Sequence, residues 1–144
     1  MAEFSVSGLG KLSLSLQEIA EIPDDIVDEM LDAQADVVVK AQKRKIRQYR
    51  IFDTGTTQRA IKKGKPKRGK DGGRVLYVTP AGIRTRGKKK TSETRNAEIL
   101  FVNEFGKKGK KAKPAVRDAN EESAQEATEA GAAVYDRWLQ SKNL

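Results

Sequence analysis

The chain contains neither cysteine nor histidine. Without cysteine it can form no disulfide and supply no thiolate. Without histidine it lacks the usual general base, the Ser–His and Cys–His nucleophile pairs and the commonest transition-metal ligand. Catalysis would have to rest on carboxylates, lysine, tyrosine or a hard metal ion. We therefore expect a protein that is not an enzyme, with no catalytic residue, no cofactor and no metal site.

Aromatic residues and long apolar runs are also scarce. The 144 residues include four Phe, three Tyr and one Trp, and 37% hydrophobic residues stand against 34% charged ones. The length suits a single domain, 1–144, with a small core that is completed against protein partners. No apolar run approaches the roughly 20 residues that cross a bilayer, and the N-terminus does not resemble a signal peptide. We expect a soluble protein made in the cytoplasm, without a membrane partner.

The net charge of +9 is distributed in blocks. Residues 1–39 hold nine acids and one base, and residues 40–70 hold thirteen bases and one acid. Residues 71–117 hold thirteen bases and four acids, and residues 118–144 hold six acids and two bases. Two interpretations remain open at this point: charge matching within the chain, or a basic face directed at nucleic acid or an acidic protein.

Hydrophobic periodicity predicts most of the helices. A short strand around Phe4 and Val6 precedes a first helix from about Lys11 or Ser13. A longer helix, residues 24–48, follows Pro23 and carries acids in its first half and bases in its second, as the helix dipole favours. At about 1.5 Å per residue it would be roughly 36 Å long. A short helix, 56–61, would be capped by Asp53 or Thr54.

The middle of the chain is predicted from glycines and β-branched residues. Residues 62–74 combine glycines, a proline and many lysines without an apolar anchor, which is typical of a mobile loop. The glycine pattern does not match a phosphate-binding loop. The alternation from Val75 to Thr79, the turn at 80–82 and the following Ile83–Arg86 predict a β-hairpin over about 74–86.

Residues 96–105 fit either a helix or a strand, and we favour a helix that starts near Thr91 or Ser92 and ends at Gly106. A basic loop, 106–113, follows it. Pro114 then opens a C-terminal helix with a stripe of small residues suited to packing on the long helix; Gly131 could bend it. Glu104 is expected to be half-buried and paired with an arginine, either Arg117 or one from a neighbouring subunit.

Together these patterns predict an α+β fold, with a long N-terminal helix and a C-terminal helix packed on a small antiparallel β-sheet. Flexible basic loops at about 62–74 and 106–113 complete the predicted domain. Acidic clusters at residues 24–29 and 121–129 have the spacing of solvated helix faces, and a metal-dependent carboxylate enzyme is the weakest hypothesis.

The basic residues are sufficient for phosphate attraction, because 26 of the 29 lie between residues 40 and 117. Aromatic residues do not alternate with the basic runs, and no motif for reading base sequence is present. Contact with DNA should therefore be non-specific. The positions expected to face DNA or a partner are Lys62, Lys63, Lys65, Lys67, Arg68, Lys70, Lys88, Lys89, Lys90, Lys107, Lys108, Lys110 and Lys111.

Three motifs follow one another along the chain: Asp53-Thr54-Gly55 with Arg59-Ala60-Ile61, then Val102-Asn103-Glu104-Phe105-Gly106, then Ala112-Lys113-Pro114-Ala115-Val116-Arg117-Asp118-Ala119. In their order they resemble the tail-component family of long-tailed bacteriophages. The chain departs from the family pattern at Thr57, at the inserted Asn103 and at Ala115.

The resemblance implies a structural virion protein of the phage neck. Such a tail-completion or head–tail joining subunit would form a ring, expected to be hexameric, between head connector and tail around the DNA path. Its partners would be further copies of itself, neighbouring head-completion and tail-terminator or tail-tube proteins, and non-specifically the packaged DNA. The expected interface residues are Phe101, Asn103, Glu104, Phe105, Gly106 and Arg117. A small basic protein that binds nucleic acid non-specifically is the alternative function.

Overall fold

The computed structural model describes residues 21–51, 56–85 and 93–142. The helices in these ranges are α1 (Asp24–Gln48), α2 (Thr56–Ala60), α3 (Asn96–Phe105) and α4 (Ala115–Ser141). The strands are β1 (Ile61–Lys63), β2 (Lys67–Arg68), β3 (Arg74–Val75), β4 (Val78–Pro80), β5 (Ile83–Thr85) and β6 (Glu93–Arg95). The predicted α+β class is confirmed, with α1 and α4 as the two long helices. None of the described helices is long and apolar enough to cross a membrane.

Helices α1 and α4 pack antiparallel along most of their length. Gln42 near the end of α1 donates to Asn120 near the start of α4, at 3.0 Å. At the other end Gln34 lies against Gly131, where an added Cβ would come within 2.5 Å of the amide nitrogen of Gln34. Helix α4 continues through Gly131, and the missing side chain of this glycine makes room for Gln34.

The buried seam of α4 recurs every three or four residues, as an amphipathic helix requires. Its members are Ala115, Ala119, Ser123, Ala127, Gly131, Val134 and Trp138. The predicted small-residue stripe is confirmed for most of its length. Ala133 is exposed, however, and Ala130 and Leu139 are only half-buried at the edges of the seam.

The end of α1 turns the chain into the core through a C-terminal cap. Arg50 has a φ of 52°, its N–H bonds to the Arg47 carbonyl at 3.1 Å, and the N–H of Ile51 bonds to the Ile46 carbonyl at 3.0 Å. These two bonds form a Schellman motif, with an arginine where glycine is usual. The apolar contact that accompanies the motif is present, since Ile46 and Ile51 both belong to the buried cluster completed by Ile61, Leu100 and Ala115.

The strands form three separate two-stranded antiparallel sheets, β1–β4, β2–β3 and β5–β6. The predicted hairpin over 74–86 is therefore wrong. β4 pairs with β1, so that Ile61 faces Pro80, and β5 pairs with β6. The carbonyls of Ala81 and Gly82 accept hydrogen bonds from the side-chain amide of Asn96, at 2.9 and 3.3 Å, so the 80–82 turn connects two sheets instead of closing a hairpin.

Residues 62–74 were expected to be a mobile loop, and this too is corrected. They contain the end of β1 and the hairpin of β2 with β3, closed by a bond from the Gly69 N–H to the Gly73 carbonyl at 2.6 Å. Gly72 has a φ of 85°, which only glycine adopts freely, and it shapes the tip.

Residues 96–105 form the helix that was favoured over a strand. This helix begins at Asn96, after β6, and so later than the Thr91 or Ser92 start that the sequence suggested. Asn96 is 2% exposed and ties the start of α3 to the 80–82 turn. The predicted strand and helix within 1–20, the caps at Asp53 and Thr54, and Lys88, Lys89 and Lys90 lie outside the described residues.

Candidate functional site

Acids spaced four residues apart on α1 neutralise part of the basic middle of the chain. Both the Nε and an Nη nitrogen of Arg74 donate to Asp28, at 2.7 and 2.5 Å, in a two-pronged ion pair that is partly shielded from solvent. This contact raises the pKa of the Arg74 guanidinium, and the hydrogen bond to Asp28 is the main cause. Arg68 at the hairpin reaches Asp24 at 3.4 Å.

The same stripe continues one and two turns further along α1. The Lys63 ammonium lies 2.8 Å from both Asp32 and Asp36. Hydrogen bonds to these two carboxylates raise the pKa of the Lys63 ammonium, and the bond to Asp32 contributes most. Lys63 and Arg68, which were expected to face DNA or a partner, both form ion pairs with acids of the same subunit. The charges of Lys63, Arg68 and Arg74 are therefore matched within the chain.

The remaining hairpin lysines are exposed. Lys67 lies over the ring of Tyr77, with its nitrogen 5.0 Å from the ring centroid, in a cation–π contact. Lys62, Lys65 and Lys70 are exposed at the surface.

An exposed pair of aromatic side chains lies on α3. Phe101 is 64% exposed and Phe105 is 69% exposed, and their ring centroids are 4.8 Å apart. The two rings meet because residues four apart share a helix face. Leu100, on a different face of α3, is buried in the core. Two phenylalanines in contact on the surface, with ring planes inclined by 52°, form a local apolar patch beside a strongly charged segment. We call Phe101 and Phe105 the aromatic pair.

Glu104 joins the end of α3 to the start of α4. Its two carboxylate oxygens accept the backbone N–H groups of Val116 and Arg117, at 2.9 and 2.8 Å. A carboxylate at this position caps first-turn N–H groups of α4 and suits the positive end of its dipole. The expected ion pair between Glu104 and the Arg117 side chain is therefore wrong, because the Arg117 guanidinium bonds to Asp118 at 3.1 Å.

Gly106 turns the chain sharply out of α3. Its φ of 75° and ψ of 179° lie in a region that is essentially restricted to glycine. Its N–H bonds to the Val102 carbonyl at 2.9 Å. A Cβ here would lie 2.8 Å from the Lys110 carbonyl oxygen and 2.9 Å from the Ala112 nitrogen. The backbone of the following loop thus packs directly on Gly106.

Residues 107–111 fold into a tight turn that we call the lysine turn. Lys107 and Lys110 exchange both backbone bonds, at 3.1 and 2.8 Å, across Lys108 and Gly109, whose φ is 79°. Lys107, Lys108, Lys110 and Lys111 are all exposed. Within the described residues none of these four ammonium groups has an ion-pair partner, in contrast to Arg68 and Arg74 at the β2–β3 hairpin. The 106–113 segment is thus a defined turn with uncompensated charge.

The base of the lysine turn is fixed to the core. The Lys113 N–H bonds to the Asn103 carbonyl at 2.6 Å, and its ammonium bonds to the Tyr49 carbonyl at 3.1 Å. Asn103 was expected at a subunit interface, but it is 6% exposed and its side chain donates to the Ile99 carbonyl at 2.8 Å. Asn103 therefore supports the fold from inside the subunit and does not present its side chain to a partner.

A polar network between α1 and α4 lies behind the turn. Tyr49 donates its hydroxyl to Asp118, and the buried Lys45 pairs with Glu122 at 2.5 Å. The hydrogen bond with Asp118 raises the pKa of Tyr49, and the same bond lowers the pKa of Asp118, with Arg117 adding to the effect. The bond to Glu122 raises the pKa of Lys45. These groups fix the register of the two helices where the lysine turn emerges.

Of the expected interface residues, Phe101, Phe105 and Arg117 reach the surface, while Glu104 and Gly106 are half-buried and shape it. Sequence reasoning recognised the acids of α1 but not their pairing with Lys63, Arg68 and Arg74, for which their four-residue spacing was the available signal. In residues 21–51, 56–85 and 93–142 no group of three or more acids is placed to hold a metal ion. No protein-family model, curated protein or solved structure matches the chain.

Proposed function

We propose that this protein is a structural subunit of the bacteriophage neck, a tail-completion or head–tail joining protein. It assembles as a ring, expected to be hexameric, between the head connector and the tail around the DNA path. The observation that carries the proposal is the aromatic pair, exposed on a short helix directly before the uncompensated lysine turn. Such a surface is incomplete in the isolated subunit and suits burial against a protein partner.

The order of sequence motifs supplies the phage context for this proposal. The segment Val102–Gly106, which resembles a family motif, is also the segment that ends α3 and positions the lysine turn. Fixed hydrogen bonds at Glu104 and Lys113 hold the aromatic pair and the lysine turn in one arrangement before any partner binds. Preorganisation of this kind lowers the entropy cost of association.

Joining of heads to tails tests the proposal directly. Extracts of a phage that lacks the gene would be supplied with purified protein, and infectious particles would be counted. The wild-type chain should restore joining, whereas Phe101→Ser with Phe105→Ser should not, although it folds. Tyr77→Ser is the matched control, because Tyr77 is also a large exposed aromatic, 56% accessible, but it contacts Lys67 and does not belong to α3. A wild-type protein that restores no joining would refute the proposal.

The second candidate function is non-specific binding of nucleic acid. It is favoured by exposed bases on the second half of α1, Lys40, Arg44 and Arg47, together with the lysine turn. A mobility-shift titration against salt separates the two functions. Tight binding at about 150 mM salt with a steep salt dependence, together with a protein that stays monomeric, would favour this alternative.

A further inference from the structure

We infer that one subunit docks its aromatic pair and lysine turn onto the outer face of α4 of the next copy of the same chain. The inference rests on the proposed self-assembly and names the surface that receives the aromatic pair. It is argued from charge left over within the subunit, from the apolar character of the aromatic pair and from the position of complementary acids on α4.

The docking surface joins two features that the subunit leaves unsatisfied. The aromatic pair exposes about two thirds of each ring system, at 64% and 69%. Two residues after Phe105 the lysine turn begins, and its four ammonium groups lack ion-pair partners in the described chain. A complementary surface must therefore contain both carboxylates and apolar side chains.

The outer face of α4 offers this combination. We call the residues that share it the outer row; they are Glu122, Glu126, Glu129, Ala133 and Asp136. All five are exposed, and their spacing of three or four residues places them on one side of the helix. Glu122 already pairs with Lys45 and Glu129 accepts a bond from Gln125, but Glu126 and Asp136 have no ion-pair partner among the described residues.

The lysine turn cannot reach the far part of the outer row of its own subunit. It lies before the start of α4, whereas Glu126 to Asp136 begin eleven residues into that helix, roughly 16 Å along its axis. Beyond Glu126 the outer row is therefore available to another copy, which makes an intermolecular contact the way to pair these charges.

A second copy fits the docking surface better than DNA does. A phosphate backbone could neutralise the lysines, but it would leave the two phenyl rings in water. The α4 surface carries exposed alanines within and beside the outer row, at 133 and 132, on which flat rings can pack. Because the two contacting surfaces differ, the contact is heterologous, and repeated copies close into a ring when the rotation permits.

Charge reversal tests this contact. One variant reverses the turn, with Lys108→Glu and Lys111→Glu, and a second reverses the outer row, with Glu126→Lys and Glu129→Lys. Each alone should weaken assembly roughly 10- to 100-fold in light-scattering titrations, because two attractive contacts become repulsive. An equimolar mixture of the two variants should assemble again, since the turn of each then matches the outer row of the other.

A third variant, Asp25→Lys with Glu29→Lys, is the net-charge control for the outer-row variant, because it also replaces two exposed acids by lysines, here on α1. It should assemble like the wild type. If both reversed variants also assemble like the wild type, this contact is wrong while the proposed ring stands. If the wild type never assembles, the proposed function fails, and the inference with it. Loss of DNA binding by the turn variant with unchanged assembly would assign the turn to nucleic acid and overturn the inference.

Discussion

Replacement of Gly106 by alanine should destabilise the protein more than the same change at Gly109. Both glycines have a positive φ, 75° and 79°, and both belong to the segment that leaves α3. They differ in surroundings. A Cβ at Gly106 meets backbone atoms of Lys110 and Ala112 within 2.9 Å, whereas a Cβ at Gly109 has nothing within 4 Å.

The two costs can be separated. At Gly109 the strain of about 1–2 kcal/mol is partly offset by the lower entropy of the unfolded chain, which leaves a loss of about 1 kcal/mol. At Gly106 the backbone region alone costs about 1–3 kcal/mol, and moving the packed turn adds about 1–3 kcal/mol. We expect Gly106→Ala to be less stable than Gly109→Ala by about 2 kcal/mol.

Urea unfolding measures this difference. The buried Trp138 reports separation of α1 and α4 by fluorescence, and circular dichroism reports loss of helix. The protein concentration must be fixed, because assembly would add stability of its own. Losses that agree within about 0.5 kcal/mol would refute the reasoning, since the contact of the lysine turn with Gly106 would then contribute nothing measurable.

Further predictions concern the same region. Arg50→Gly should stabilise the protein by about 0.5–1 kcal/mol in urea unfolding, because glycine suits the positive φ at this position. The control Arg47→Gly, inside the helix, should destabilise the protein by about 1 kcal/mol. Stabilisation by both changes would contradict the assigned C-terminal cap. Glu104→Ala should cost about 1–2 kcal/mol and Glu104→Gln less, and equal losses would argue against a charge-assisted cap. The Tyr49–Asp118 bond should contribute most at intermediate pH. Because the pKa of Asp118 is lowered in the folded protein, its contribution to stability is present above the ordinary carboxyl pKa and is lost as pH falls through the folded pKa. Because the pKa of Tyr49 is raised, its contribution to stability is lost as pH rises through the folded pKa of Tyr49. Tyr49→Phe should flatten both limbs of a plot of unfolding free energy against pH, and an unchanged plot would contradict the pairing.

The helices were predictable because they depend on local periodicity. The bounds 24–48 were read directly from apolar spacing, and Pro114 marked the start of α4. The helix at 96–105 was predictable because Gly106, directly after it, is a signal for the end of a helix. Such signals act over one or two turns, so the sequence contains them explicitly.

The strand pairings were not predictable in the same way. Val75–Thr79 and the 80–82 turn have the pattern of a local hairpin. Instead, β4 pairs with β1, because Ile61 of β1 belongs to the buried cluster around Ile46. The pairing therefore depends on the position of α1, which local alternation does not encode. The hairpin of β2 and β3 was missed for the same reason: Arg74 pairs with Asp28 and Arg68 pairs with Asp24, and these acids lie 46 and 44 residues earlier in the chain.

The candidate site was predictable in composition but not in geometry. The sequence motif identified Glu104, Phe105 and Gly106 as candidate residues. It could not show that Glu104 caps α4 or that the side chain of Asn103 is buried. Whether a side chain on α3 faces the core or solvent depends on its position relative to Leu100. Likewise, only the tertiary contacts could show that Arg68 and Arg74 of the hairpin are paired with acids, whereas the lysines of the turn are not.

We propose that the subunit assembles into a ring through the aromatic pair. The most direct measurement is the particle mass of the purified wild-type chain by light scattering, with negative-stain images of the same sample. We predict a closed ring for the wild type and a folded monomer, with unchanged circular dichroism, for Phe101→Ser with Phe105→Ser. A wild-type monomer at every concentration and salt level, or a ring of unchanged mass in the variant, would contradict the account.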